Sequence, residues 1–546
     1  MALPKPLMPP YDIRDWQRRP FAERLRMVCQ CWATQGYGTP WPVYVLYILK
    51  VVFYAGMWLF FCSFSRGPSA APDAFQKAVL WSMAFEGLGL GCSSGPLTGR
   101  YSPPIAGFLH FLRAGTIKLP LFPALPLIGG DRRTFFDAAL YLAHYIFLLR
   151  ALLAPALTPS LLLPAVILLP LLGLTDKTLF LAARGEHYYA ALICFLFPGE
   201  WIPATKVVWI AVWLWAATSK LNRHFPWVVA VMQSNSPVTA IGGVRRLLYR
   251  DYPRDLRPSA LVHRMAHAGT AVEYTFPLIL LLSHGGWPAT AALAVMVAFH
   301  AFITTSVPMG VPIEWNFMMV YGGFFLFGEH AGAGILQIHS PLLIAFLVCA
   351  CFLVQLIGNL APSRISFLYA MRYYAGNWAY SVWLFRGAGA RKLDAHLTKA
   401  APCLKHQLRK FYDEETTIAV ISKIMAFRAM HLHGRTLQTL LPKAVTDIDE
   451  YEYMDGEIVA GLALGWNFGD GHLHHLQLLR AIQRRCRFEP GELRCVFVES
   501  QPMGKPDLAW SIADAATGVI QTGAIPVRDL VDRQPWPEAA AASLAH

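Results

Sequence analysis

The stretch Trp209 to Trp227, WIAVWLWAATSKLNRHFPW, places an ammonium-bearing residue, Lys220, just beyond a long apolar run. From Val207 to Thr218 no side chain is charged, so a helix here suits lipid or the interior of a helical bundle. Lys220 then has two readings. As the end of a spanning helix it would snorkel to the headgroups, with Trp227 in the interfacial aromatic belt. As an ionisable residue at membrane depth it would belong to a functional site. The stretch alone favours the anchor.

Composition extends this reading to the whole chain. Of 546 residues, 55% are hydrophobic and only 15% charged, too little charge to cover a water-soluble protein of this length. The expected fold is mainly α: a polytopic transmembrane helical bundle followed by a smaller α+β soluble domain, with membrane lipids as partners. The formal charge of +13 is spread over short segments between apolar runs, as inside-positive topology requires. No nucleic-acid partner is expected. The N-terminus has no apolar core beside a small-residue cleavage site, so no removable signal is read. Ten cysteines, several inside apolar runs (Cys62, Cys194, Cys349, Cys351), read as reduced thiols without a zinc pattern.

Residues 1–40 are basic and partly amphipathic, with Arg14, Arg18, Arg19, Arg24 and Arg26 among Trp16, Phe21, Leu25 and Val28, which suggests a cytoplasmic interfacial helix. Residues 41–360 form the bundle. Trp41 to Phe64 can cross ~30 Å of hydrocarbon at about 1.5 Å per residue. Further runs begin at Ala78, Thr134, Ser160, Tyr188, Ala204, Ala266, Ala289, Asn316 and Leu342, giving about eight to ten spans at ~20 residues each. Lys50 and Glu86 are candidates to pair between the first two runs. Arg100 to Arg133, broken by Pro and Gly, is expected to lie at the interface or re-enter. The turns near 154–159, 198–203, 283–288 and 329–340 carry no Lys or Arg, whereas the alternate segments carry most of them, so both termini are expected in the cytoplasm. Residues 361–536 turn polar and read as a cytoplasmic α+β domain, a surface for a protein partner. Ser366 to Leu440 reads as helices. LRCVFVES, LAWSIADA and GVIQTGAIPV read as strands, and 537–546 as a flexible Ala-rich tail.

Eighteen histidines raise the question of a di-iron site. HRMAH puts His263 and His267 on one helical face. GDGHLHH, with His472, His474 and His475, lacks the HxxHH spacing, and there is no third box. It reads as a turn and helix start with exposed imidazoles. No metal is expected, and a His-box desaturase or hydroxylase is the lesser alternative. There is no GxSxG elbow and no phosphate-binding loop, and the glycines of GLGLGCSSG suit close helix packing. GVRRLLYRDYPRDLRP, Gly243 to Pro258, suits an anionic membrane surface. What remains is Glu186 and His187 opening a span, Lys220 closing one, and Glu273 and His300 within spans. Singly, His300 reads as a satisfied core histidine and Glu273 as an interhelical acceptor. Together they can line one cavity in which a desolvated Lys220 acts as a general base.

The order of these pieces resembles the vitamin K-dependent γ-glutamyl carboxylase and its bacterial relatives, the horizontally transferred transmembrane (HTTM) proteins. GEHYYAALICF resembles their histidine-aromatic helix start, and TSKLNRHFPW their Lys-Leu-Asp/Asn segment ending in Trp. AVEYTFPLILLL resembles the helix bearing Glu and Pro, and VAFHAFITTSVPMG the Phe-His helix after it. The resemblance covers roughly residues 176–327. It implies Lys220 as the base that deprotonates a hydroquinone and His187 as its assistant; Glu273, His300 and Asn222 are the candidate substrate contacts beside them. It also implies a reduced, vitamin K-like quinone as cofactor, a lipid-soluble small molecule as partner, and a bacterial inner membrane. Two departures stand out. MGVPIEWNFMMV puts Pro312, Glu314, Trp315 and Asn316 where that family continues with a phenylalanine-rich span. Residues 361–546 lack a counterpart to the carboxylase's large extramembrane domain, which argues against protein glutamate carboxylation. Two function classes follow: a carboxylase-like oxidoreductase or lyase acting on a quinol or another lipid-soluble substrate, or a non-catalytic membrane protein anchoring a cytoplasmic interaction domain. A transporter is disfavoured for want of an internal repeat.

Overall fold

The computed structural model describes residues 4–66, 70–91, 105–126, 128–306 and 312–537. Six of the described helices are long and apolar enough to cross a membrane: α1 (Trp41–Cys62), α2 (Phe135–Leu152), α3 (Trp201–Ser219), α4 (Ala260–Ser283), α5 (Gly286–Thr304) and α6 (Pro341–Leu360). Pro159–Thr175 is a shorter apolar helix against α2. The other expected spans are more polar or shorter. Ala70–Gly87 carries Asp73, Lys77 and Glu86, while Tyr188–Cys194 and Ile313–Gly323 have 7 and 11 residues. The expected eight to ten spans are therefore not established. The described cysteines are free thiols. Residues 92–95 of the glycine segment, 307–310 of the Phe-His segment and the tail from 538 lie outside the described residues.

Charges inside the bundle are placed by what they can bond. The segment 105–133 folds into turns held by two buried ion pairs, Lys118–Asp137 at 2.9 Å and Arg133–Asp176 at 2.7 Å. Asp137 also completes the capping box that starts α2 with Thr134, so one carboxylate fixes both the loop and the helix entry. At the far end of the bundle, Lys77 donates to the carbonyls of Phe61 and Ala154. Lys206 donates to those of His330 and Ala333, and both lysines thus satisfy chain ends that water does not reach. Lys50 does not pair with Glu86. It lies 3.4 Å from Glu314 and donates to the Gly91 carbonyl, while Glu86 faces Arg184 at 3.6 Å.

The C-terminal part holds a five-stranded antiparallel sheet. After a short hairpin, β1 (Tyr249–Asp251) and β2 (Asp255–Pro258), come β3 (Tyr380–Arg386), β4 (Tyr451–Asp455), β5 (Leu493–Val498), β6 (Asp507–Asp514) and β7 (Gly518–Pro526). Their order is β4-β3-β5-β6-β7. The last three match the strands read from sequence. β3 corrects the all-helical reading of Ser366 to Leu440: YSVWLFR is buried on both faces up to Arg386, so it lacks the two-residue alternation that marks a half-exposed strand. Trp383 and Phe385 on one face join the core of the bundle, and Tyr380, Val382 and Leu384 on the other join a second core. That second core takes in Leu25, Val28 and Trp32 of the N-terminal helix Phe21–Gln35, whose apolar face packs on Glu414–Met430. Trp32 sits 5.5 Å from Phe427 and donates to the Val231 carbonyl at 3.1 Å. Each such fully buried aliphatic or aromatic side chain contributes roughly 1.5–3 kcal/mol. The C-terminal part and the bundle therefore share their cores, and Asp131 adds bonds from the bundle loop to Arg484 and Arg485 at 2.6 and 2.8 Å.

Candidate functional site

Lys220 follows α3 at its C-cap. Its side chain is 5% exposed and donates to Glu273 of α4, which is equally buried. The snorkelling anchor is thereby replaced by an interior ion pair. The ammonium also lies 5.5 and 5.9 Å from the rings of Phe225 and Phe299, aromatic faces that favour a cation. One residue after Glu273, the Tyr274 hydroxyl donates to Thr218 Oγ1 at 2.7 Å, a second polar link between α4 and α3.

His300 on α5 and His187 are fixed by indoles. Trp213 donates its Nε1–H to His300 Nε2 at 3.1 Å, and Trp315 donates to His187 Nε2 at 2.8 Å. An indole nitrogen only donates, so both Nε2 atoms are acceptors and each neutral ring carries its proton on Nδ1. For His300 that proton goes to Asn316 Oδ1 at 2.8 Å, and Asn316 in turn donates to the Pro312 carbonyl at 2.8 Å. For His187 it faces Glu186 Oε1 at 3.3 Å. Trp315 stands between them, with ring centroids 5.8 Å from His187, 6.2 Å from His300 and 5.3 Å from Tyr373.

Beyond His187 lies a buried charge cluster. Arg184 Nε donates to Glu186 Oε1 at 2.6 Å, and Tyr373 donates to the same oxygen at 2.7 Å. Tyr373 comes from the chain after the last span, so the C-terminal part supplies a group to the interior of the bundle. Glu186 Oε2, both Glu314 oxygens and Trp209 Nε1 are buried without a hydrogen-bond partner, although Glu314 Oε2 faces the Lys50 ammonium at 3.4 Å.

Asn222 has a different place. Its Oδ1 accepts from the backbone N–H groups of His224 and Phe225 at 2.7 and 3.1 Å, and its amide donates to the Ser219 carbonyl. It shapes the turn between α3 and the helix Phe225–Asn235, away from the His187–Trp315–His300 line. His263 bonds the Ser259 carbonyl and His267 is exposed. Among the described residues no group of three or more His, Cys, Asp or Glu is placed to hold a metal ion. GDGHLHH does form a turn and a helix start, but its imidazoles are not exposed: His474 is buried against Ser381 at 2.7 Å, and His472 pairs with Glu499 at 3.0 Å. Burial opposes a charge on His472, yet the Glu499 carboxylate outweighs it and raises the imidazole above its ordinary value.

Sequence reasoning singled out His187, Lys220, Glu273 and His300; it named Trp315 and Asn316 only as departures from the resemblance and missed Trp213 and Tyr373. Residues 1–544 match a family model described as a transmembrane protein of unknown function, DUF3556. No curated protein and no solved structure matches the chain. The likeness to the carboxylases and HTTM proteins rests on the four quoted segments.

Proposed function

The chain belongs to the DUF3556 family of transmembrane proteins, and from that premise we propose that it is an integral membrane enzyme. In this reading it binds a lipid-soluble substrate within the bundle and moves a proton through the Lys220–Glu273 pair. The pair itself carries the reading. Holding two charges out of water costs several kcal/mol per ion, and apolar side chains of like volume would tie α3 to α4 as well or better. An amine bonded to a carboxylate can instead hand its proton across, leaving neutral Lys220 to accept one from a substrate hydroxyl.

The substrate class is argued from the surroundings. Trp213, Phe276, Phe299 and Trp315 offer aromatic faces, and Glu186 Oε2 and the Glu314 oxygens, which accept no hydrogen bond, suit hydroxyl donors. An aromatic diol of the quinol class fits both, as does the resemblance to the vitamin K-dependent carboxylase. A reduced quinone would supply the oxygen-reactive ring. His187 and His300, with Nε2 already engaged by indoles, orient the walls of the site and are not the base. The placement of both termini in the cytoplasm of a bacterial inner membrane rests on the loop charges and belongs to the same proposal.

A second reading, a non-catalytic bundle presenting the soluble part to a partner, is favoured by one observation: Lys220 and Glu273 already satisfy each other. The two separate in a quinone-free membrane supplied with a reduced naphthoquinone and oxygen. Oxidised or epoxidised product from wild type and none from Lys220→Ala is expected. Equal product from both proteins would remove Lys220 from the mechanism.

A further inference from the structure

At the end of α3 a cavity of about 400 Å³ opens between the bundle and the C-terminal part. Thr218, Ser219, Leu221, Asn222 and Arg223 form one wall, and the loop Gln501 to Pro506 forms the other. The loop is pinned in place. Met503 donates to the Asn359 carbonyl at 2.8 Å, and Gln501 and Asn377 exchange bonds at 2.7 and 2.9 Å. Asn359 closes α6 as Ser219 closes α3, so two membrane-crossing helices end at this cavity and set it at headgroup level.

Its electrostatics have one sign. Arg223, Arg372, Lys505 and Arg528 line it, and among the described residues no aspartate or glutamate does. Asp529 lies 3.4 Å from Arg528, outside the lining. Arg372 is the decisive group. It is 2% exposed, and its Nε and Nη1 are buried without a hydrogen-bond partner. Among the described residues its side chain makes one hydrogen bond, a long 3.5 Å contact from Nη2 to the Gln501 carbonyl. Burial, partly offset by Glu499, lowers the guanidinium to about 10, so it is charged at neutral pH. A buried cation with two unused N–H groups calls for an oxyanion, and a guanidinium fork matches the oxygens of a phosphate. Among the residues that line it, Leu221 is 66% and Met503 41% exposed, apolar surface beside the charges.

We propose that this cavity binds the phosphate headgroup of an anionic lipid, held by Arg372 with Arg223 and Lys505, its acyl chains lying over Leu221 and Met503. Lys220 and Glu273 are not among the lining residues and bond each other instead, so the proposal stands whether or not the bundle is catalytic.

The full chain in detergent is titrated with dioleoyl phosphatidic acid and bound lipid is counted by native mass spectrometry. Dioleoylglycerol, with the same chains and no phosphate, and inorganic phosphate as competitor form the other arms. One saturable phosphatidic acid per chain is expected, with dioleoylglycerol failing to bind and equimolar inorganic phosphate failing to displace it. R372Q should weaken binding roughly tenfold or more, as loss of charge-assisted bonds does. The exposed double variant R223Q/K505Q, which leaves the interior intact, should weaken it several-fold, and R391Q/R480Q, exposed cations outside the cavity, should not. Unchanged affinity in both R372Q and R223Q/K505Q, or equal binding of dioleoylglycerol, would overturn the proposal; if R372Q does not fold, the double variant alone decides. Displacement by equimolar inorganic phosphate would overturn the lipid assignment in favour of the free ion.

Discussion

Replacing Lys220 by Met leaves the Glu273 carboxylate in an apolar interior without a counter-charge, and the structure sets the size of the effect. Both side chains are 5% exposed, so solvent does little to screen them. Two unit charges about 4 Å apart interact by ~4 kcal/mol at an effective dielectric near 20, and losing one member of a buried pair typically costs 3–5 kcal/mol. Lys220→Met should therefore lower stability by about 3–5 kcal/mol, and Glu273→Leu by a similar amount. The double variant K220M/E273L removes both charges and should recover most of the loss, a coupling of roughly 3 kcal/mol or more in the cycle. Unfolding of the purified protein in mixed micelles measures all four species. Single-variant losses under about 1 kcal/mol would mean a solvated pair and would refute the buried geometry. Turnover of reduced naphthoquinone on the same samples separates the two functions: a stable double variant without turnover supports a proton-handling pair, whereas a double variant that turns over reduces the pair to a clamp.

Trp315→Phe keeps an aromatic ring, smaller than the indole, and deletes the N–H that His187 Nε2 accepts; a loss of about 1–3 kcal/mol is expected, with ¹⁵N NMR of His187 showing mixed tautomers in place of one. Gly376→Ala puts a methyl group against Val228 at a backbone φ of +71°, and should cost about 2 kcal/mol or more in the same unfolding assay, steric crowding adding to the left-handed penalty. In the C-terminal part, burial holds His431 and His474 near 3, and the Nε2 of each has no partner to take a second proton. Their folded values lie below the unfolded value of about 6.5, so their contribution is full above pH 6.5 and is lost as pH falls; at pH 5 each costs about 2 kcal/mol at 1.36 kcal/mol per unit. Unfolding followed by tryptophan fluorescence should weaken from pH 6.5 to 5, with a shallower slope in His431→Phe; a flat profile would contradict it.

An ionisable side chain inside an apolar run is conspicuous in sequence, which is why Lys220, Glu273, His187 and His300 could be named before any contact was known. Their wiring was hidden for the opposite reason. Trp213, Trp315 and Tyr373 are aromatic residues in a chain that is 13% aromatic, and nothing local separates an indole that packs from one that donates to a histidine. The direction of Lys220 was equally hidden, since a lysine at a helix end has the same spacing whether it reaches up to headgroups or back to Glu273. β3 escaped because both of its faces are buried, and the Phe21–Gln35 helix has the same amphipathic pattern whether its apolar face meets lipid or, as here, Glu414–Met430.

The segment that departs most from the carboxylase-like pattern is the one the site depends on. Glu314, Trp315 and Asn316 are consecutive in the first turn of Ile313–Gly323, and all three are buried. Successive helical residues point about 100° apart, so three in a row can be buried only where neighbours close in on most of the helix. Those neighbours are Lys50 for Glu314, His187 and Tyr373 for Trp315, and His300 for Asn316. A phenylalanine-rich turn would fill this volume but would leave both imidazoles without their present partners: His187 Nε2 would lose its donor and His300 Nδ1 its acceptor. This segment thus fixes two tautomers, and it places the acidic Glu314, facing Lys50 at 3.4 Å, one residue before Trp315. The first turn of Ile313–Gly323 therefore sets oriented hydrogen-bonding groups into an otherwise apolar bundle.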